Sequence, residues 1–182
     1  MSGLLSLSRL IDTINARIGK LMSWLILAAV LVSSINAFVR FFFNRSSNGW
    51  LELQWYLFGA VFLLGAAYTF QMNEHIRIDI VSSRLPKVVR NWIEIIGHVL
   101  FLTPFCLIVL YTGIPFFKVA FLTNEYSASA GGLILWPAKL MLPLGFFLLF
   151  LQAMSELIKR IAIMRGLIPD NLMGGGSHGS VE

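Results

Sequence analysis

Arg90, Glu94 and His98 recur at four-residue steps inside an otherwise apolar stretch. On a helix that spacing puts all three on one face, and a histidine beside a carboxylate can hand on protons near neutral pH. The same trio can equally form a hydrogen-bonding patch between helices or subunits. A relay needs its polar path to continue, yet the face beyond His98 carries Leu102 and Phe105. A second charged pair, Arg40 and Glu52, flanks the short segment 45–49, which brings both to one depth. An Arg40–Glu52 ion pair is therefore expected as an internal brace that fixes helix register. The competing reading is an arginine that reaches outward to water alone.

Other chemistries fail on inventory. A b-type haem in a helical bundle needs two facing histidines at membrane depth, and His98 is the one such residue. Cys106, the single cysteine, sits in an apolar run without a positioned base, so neither a disulfide nor an activated nucleophile is expected. Glu74, His75 and Asp79 share a short basic stretch with Arg77 between them, a weak metal site at best. The glycines at 174–176 are not followed by Lys-Ser/Thr, which removes a phosphate loop. No catalytic residue, metal or cofactor is expected.

These polar groups must be carried by elements suited to lipid. Of 182 residues 57% are hydrophobic and 13% charged, with a mean hydropathy of +0.78, against roughly 45–50% apolar and about 25% charged in soluble domains. A soluble enzyme, a disordered chain and a secreted disulfide scaffold are excluded. The net charge of +5 is spread along the chain, so it reads as loop charge that orients the protein, with no nucleic-acid partner expected.

The sequence predicts an all-α integral membrane fold of four transmembrane helices, at about 21–43, 50–70, 88–113 and 133–158. Pro104 and Pro115 are expected to bend or break the third. The paired Gly/Pro-broken spans of an inverted repeat are not evident. Ten of the fourteen Lys and Arg fall in the N-terminal arm, the connection between spans two and three, and the C-terminal tail. Both termini are therefore expected in the cytoplasm, with Trp24 and Trp92 at the inner membrane surface and Trp50, Trp55 and Trp136 at the outer one. Leu4, Leu7, Ile11, Ile14 and Ile18 recur at helical spacing, which predicts an amphipathic helix over 1–20 lying on the inner lipid surface. The alternative is a first span that starts early. Residues 159–182 are expected as a flexible cytoplasmic tail, and the N-terminus lacks the pattern of a cleaved signal.

Several pieces in order add a resemblance. Glu52 is followed by Gly65-Ala66-Ala67-Tyr68-Thr69 and by Asn73-Glu74-His75-Ile76-Arg77-Ile78-Asp79-Ile80. Later come Asn124-Glu125-Tyr126-Ser127, Gly131-Gly132-Leu133, Trp136-Pro137-Ala138-Lys139 and Leu142-Pro143-Leu144-Gly145-Phe146. Over about 21–158 the chain resembles the small, DctQ-like membrane subunit of tripartite ATP-independent periplasmic (TRAP) transporters. The resemblance implies a multi-pass protein of the bacterial inner membrane, without catalytic activity. Its partners would be a large transmembrane transport subunit, a periplasmic substrate-binding protein and membrane lipid, in sodium-driven uptake of an organic acid. It implies inner-loop structural or subunit contacts at His75, Arg77 and Asp79, and an outer docking surface at Glu125, Ser127, Trp136 and Lys139. Gly59, Gly65 and Thr69 would permit close helix contact. A reading of another class is a self-sufficient small channel or proton-coupled carrier built on Glu94 and His98.

Overall fold

The computed structural model describes residues 2–44, 47–72 and 86–167. The elements are α1 (Ser2–Phe43), α2 (Asn48–Gln71), α3 (Lys87–Gly97), a π-helical turn (His98–Leu102), α4 (Thr103–Leu122) and α5 (Trp136–Met164). With α3, the π turn and α4 forming one rod, four helices are long and apolar enough to cross a membrane. Helix is the form such sequences take in lipid because every backbone group is paired within its own segment. Among the described residues, extended structure is limited to one antiparallel bridge, Tyr126 with Ile134.

The helix boundaries depart from expectation in three places, one of them at 159–164, expected as the start of a flexible tail and instead the last turns of α5. The first twenty residues are no separate helix: α1 runs unbroken for 42 residues, about 63 Å at 1.5 Å per residue. Its apolar stripe makes the contacts only in part, through Ile11. Leu4, Leu7 and Ile14 are exposed, while Ser8, Ile11, Asn15, Gly19 and Met22 are buried. The packed face mixes polar and apolar residues: Ser8 and Asn15 bond to Ser155 and Gln152 of α5, and Gly19 meets Tyr68 of α2. The third span, expected to end near 113, continues through Pro115 to Leu122. Pro104 does not break it either. Proline lacks the N–H for an ordinary helical bond, and the chain answers by widening one turn, so that Thr103 N–H reaches back to His98 O.

α5 is the central element, packing against α1, α2 and α4. Of its most apolar 18-residue window 39% is buried, against 6–11% for the other three spans. Glycine makes that position possible. A Cβ on Gly145 would stand 2.6 Å from Leu63 O, so α2 and α5 touch backbone to backbone there. Gly19 likewise lies under the Tyr68 ring. Gly59 and Gly65, expected at close helix contacts, have nothing within 4 Å of an added Cβ.

Two helix ends are fixed by left-handed caps. Asn124 (φ 47°) and Gly166 (φ 69°) follow α4 and α5. Glu125 N–H bonds Ala120 O and Leu167 N–H bonds Ala162 O, both at 3.0 Å, the six-to-one closure that satisfies a helix's last carbonyls. The cap at Asn124 turns the chain into the 123–135 connection and so aims the residues beyond it.

Candidate functional site

Polar side chains gather at the two ends of the bundle. At the end that holds the 123–135 connection, Glu52 in the first turns of α2 is the anchor. One carboxylate oxygen accepts the Ser127 hydroxyl and the other accepts Leu133 N–H at 2.7 Å. Ser127 N–H bonds Leu133 O at 3.0 Å and Leu135 N–H bonds Glu125 O at 2.8 Å. Tyr56 O–H donates to Ile134 O at 3.3 Å, and Asn48 Nδ2 donates to Ala130 O at 3.0 Å. Gly132 is required in this fold, since a Cβ would stand 2.6 Å from Ser127 Cβ and 3.0 Å from Glu52 Oε1.

The Arg40–Glu52 pair does not form. Both oxygens of Glu52 are committed to the connection, and among the described residues no ion pair joins it to Arg40. Arg40 lies with Ser33, Asn36, Asn44 and Gln54 along the α1–α2 seam instead. The other residues expected at this end come together. Lys139 Nζ bonds Glu125 Oε2 at 2.5 Å and lies 4.2 Å over the centre of the Phe116 ring. Trp136 meets Phe121 edge to face with centroids 5.5 Å apart. The result is a tied loop from which Tyr126, 63% exposed, projects.

At the opposite end, the start of α1 lies along the last turns of α5. Ser8 and Ser155 hydroxyls are 2.7 Å apart, and Asn15 Nδ2 donates to Gln152 Oε1 at 2.6 Å. Asp12 Oδ1 accepts Ser155 Oγ at 2.8 Å and Gln152 Nε2 at 2.9 Å. Lys159 bridges two carboxylates, Asp12 Oδ2 at 3.1 Å and Glu156 Oε1. The next residue, Arg160, joins α5 to α3 through an ion pair with Glu94 and a 3.1 Å bond to Asn91 Oδ1. Each charge here has a counter-charge, as burial demands.

Glu94 and His98 thus belong to a junction between helices. His98 Nδ1 contacts Glu94 O at 2.5 Å, and its ring packs on Phe70 with centroids 5.3 Å apart. The cavity they share with Arg160 and Glu156 measures about 30 Å³, room for one or two waters. Arg90 falls in α3, but its side chain, like all of His75, Arg77 and Asp79, lies outside the described residues.

Sequence reasoning missed the α1–α5 network. The signal was two polar stripes of equal pitch: Ser8, Asp12 and Asn15 on one helix, and Gln152, Ser155, Glu156 and Lys159 on the other. Read singly, the first looks like the wet side of a surface helix; the match between them is what identifies a contact.

Comparison with known proteins adds one finding. Residues 18–162 match the family described as tripartite ATP-independent periplasmic transporters, DctQ component. A search of curated proteins returns no match.

Proposed function

Because the chain belongs to the DctQ component family of tripartite ATP-independent periplasmic transporters, we propose that it is the small subunit that braces a larger transport subunit in the bacterial inner membrane. The family match across all four spans is the observation that carries this reading. In it the whole transporter takes up an organic acid with sodium, and a periplasmic binding protein delivers the substrate. Both termini lie in the cytoplasm, as the bias of Lys and Arg favours, so the 123–135 connection faces the periplasm.

The geometry favours a brace over a carrier. Polar ties lock the helices at both ends, and Gly145 presses α5 onto α2 between them. In the docking role, Glu125, Ser127, Trp136 and Lys139 act by shaping the loop, since each is bonded or stacked within the chain. Tyr126 and the exposed stretch 128–131 offer the contact itself.

Co-expression with a large membrane subunit and a periplasmic binding protein tests the assignment. A stable membrane complex is expected, with sodium-dependent organic-acid uptake in liposomes that requires all three chains. Ser127→Ala should weaken docking of the binding protein while the membrane pair still assembles. Uptake by the chain alone, or proton flux through it that Glu94→Gln abolishes, would establish the self-sufficient carrier instead.

A further inference from the structure

Arg40 has no carboxylate at ion-pair distance among the described residues. It lies in an open hollow of about 580 Å³ with Ser33 and Asn36 of α1, Asn44 just past its end, and Gln54 of α2. A second hollow, about 600 Å³, continues toward the other end of the bundle between Ser23 and Ile26 of α1 and Phe62, Gly65 and Thr69 of α2. Positions 26, 33, 37 and 40 on α1, and 51, 54, 61, 65 and 68 on α2, advance by three, four or seven. Both hollows therefore lie along one face of each helix. Ala60 and Ala67, on the other side of α2, are the buried residues, and Leu63 beside them meets α5. The seam opens away from α5.

We propose that this seam seats a transmembrane helix of the larger membrane subunit, one that presents an Asp or Glu opposite Arg40. The inference rests on the functional reading above in that it needs such a subunit. Charge complementarity selects the occupant. Arg40 lies one turn inside the end of α1, and its guanidinium, held in the seam beside Asn36 and Gln54, is open to an anion that Glu52 does not supply. The polar stripe then runs seven residues further in, to Ser33, about 10 Å deeper along the helix. A lipid phosphate could meet Arg40, but its acyl chains would lie against Asn36 and Ser33. A helix with a carboxylate and further polar side chains matches the whole stripe. Beyond it, Gly65 and Ala66 leave room for close approach of a backbone, next to Phe62, which is 78% exposed. From Phe41 to Gly19 the two hollows together span about 33 Å of α1, enough for a helix that crosses about 30 Å of hydrocarbon.

The test uses the full chain co-expressed with the large subunit, carrying a photoreactive residue at Asn36, at Gly65 or, on α4, at Tyr111. Cross-links to the large subunit are expected from the first two positions and not from Tyr111. Arg40→Glu should weaken association by a factor on the order of 30 or more, with Arg40→Lys milder. Because Arg40 makes no internal ion pair, the unfolding temperature of the isolated chain should be unchanged in both variants. Normal recovery of the large subunit with Arg40→Glu, or silence at Asn36 and Gly65 in a complex that forms, would overturn the seam and leave the functional reading intact. So would an Arg40→Ala complex that keeps the large subunit but loses a bound phospholipid in native mass spectrometry. Failure of the unaltered chain to bind any large subunit would sink the functional reading itself.

Discussion

Lys159→Met removes the one cation between Asp12 and Glu156 and leaves two carboxylates facing each other. The three side chains are 16%, 20% and 8% exposed, so water reaches the site poorly. At the 3.1 Å separation from Asp12, one charge pair is worth about 5 kcal/mol at an effective dielectric constant near 20. Much of that is offset by the cost of desolvation, and removal of one partner from such a cluster typically destabilises by about 3–5 kcal/mol. The triple change Lys159→Met, Asp12→Asn, Glu156→Gln should behave differently. An Asn oxygen at position 12 can still accept the Ser155 and Gln152 donors, and no unpaired charge remains. It is expected to recover most of the loss, since a neutral replacement of a buried ion cluster is often close to neutral in stability. Unfolding of the full chain in mild detergent, titrated with SDS and followed by ellipticity, measures both. A loss below about 1 kcal/mol for the single variant, or a triple variant no better than the single, would refute the account of Lys159 as the pin between α1 and α5.

The glycines separate by their surroundings. Gly145→Val should destabilise by about 1–3 kcal/mol through overpacking against the Leu63 backbone, whereas Gly65→Ala, with open space around it, should leave the isolated chain unharmed. The same detergent titration reads both, and equal effects would contradict the close contact. At the left-handed cap, Asn124→Gly should be tolerated while Asn124→Val costs about 1–2 kcal/mol, read as a shift in thermal unfolding. Glu52→Gln should raise amide hydrogen exchange at Leu133 and its neighbours without changing the helices, since Leu133 N–H and the Ser127 hydroxyl lose their shared anion. Unaltered exchange would remove Glu52 as the anchor.

The four spans were legible because lipid imposes a simple rule: long apolar runs must be helical and full length. Their mutual packing was not. In lipid the apolar side of a helix does not have to face its neighbours, so Leu4, Leu7 and Ile14 of the stripe point outward while Ser8 and Asn15 join Ile11 in the contact. A period drawn from hydrophobicity alone finds only the edge of the packed face, at Ile11. The Arg40–Glu52 expectation failed for a related reason. Depth placed the two residues level, but depth says nothing of azimuth, and the backbone N–H of Leu133 claims a carboxylate oxygen in a way no side-chain inventory reveals. Glu94 and His98 were legible as a shared face; the counter-charge of Glu94, Arg160, came from a helix more than sixty residues away.

The distribution of polarity along α5 argues for what the bundle is built to resist. Its first turn carries Lys139, tied to Glu125 on the connection. Its middle carries Gly145 and Leu148, buried among apolar neighbours, and its last turns carry Gln152, Ser155, Glu156, Lys159 and Arg160, tied to α1 and α3. A helix fastened by directional bonds at both ends and by backbone contact between them cannot slide or rotate without breaking several bonds at once, each of them hard to replace where water is scarce. An alternating-access carrier needs the reverse, one bundle free to rock against another about a central site. Within the described residues the polar groups stand at the ends of α5 and its middle is greasy. Under the function proposed above, any movement that carries solute falls to the companion subunit, and this chain supplies the fixed side.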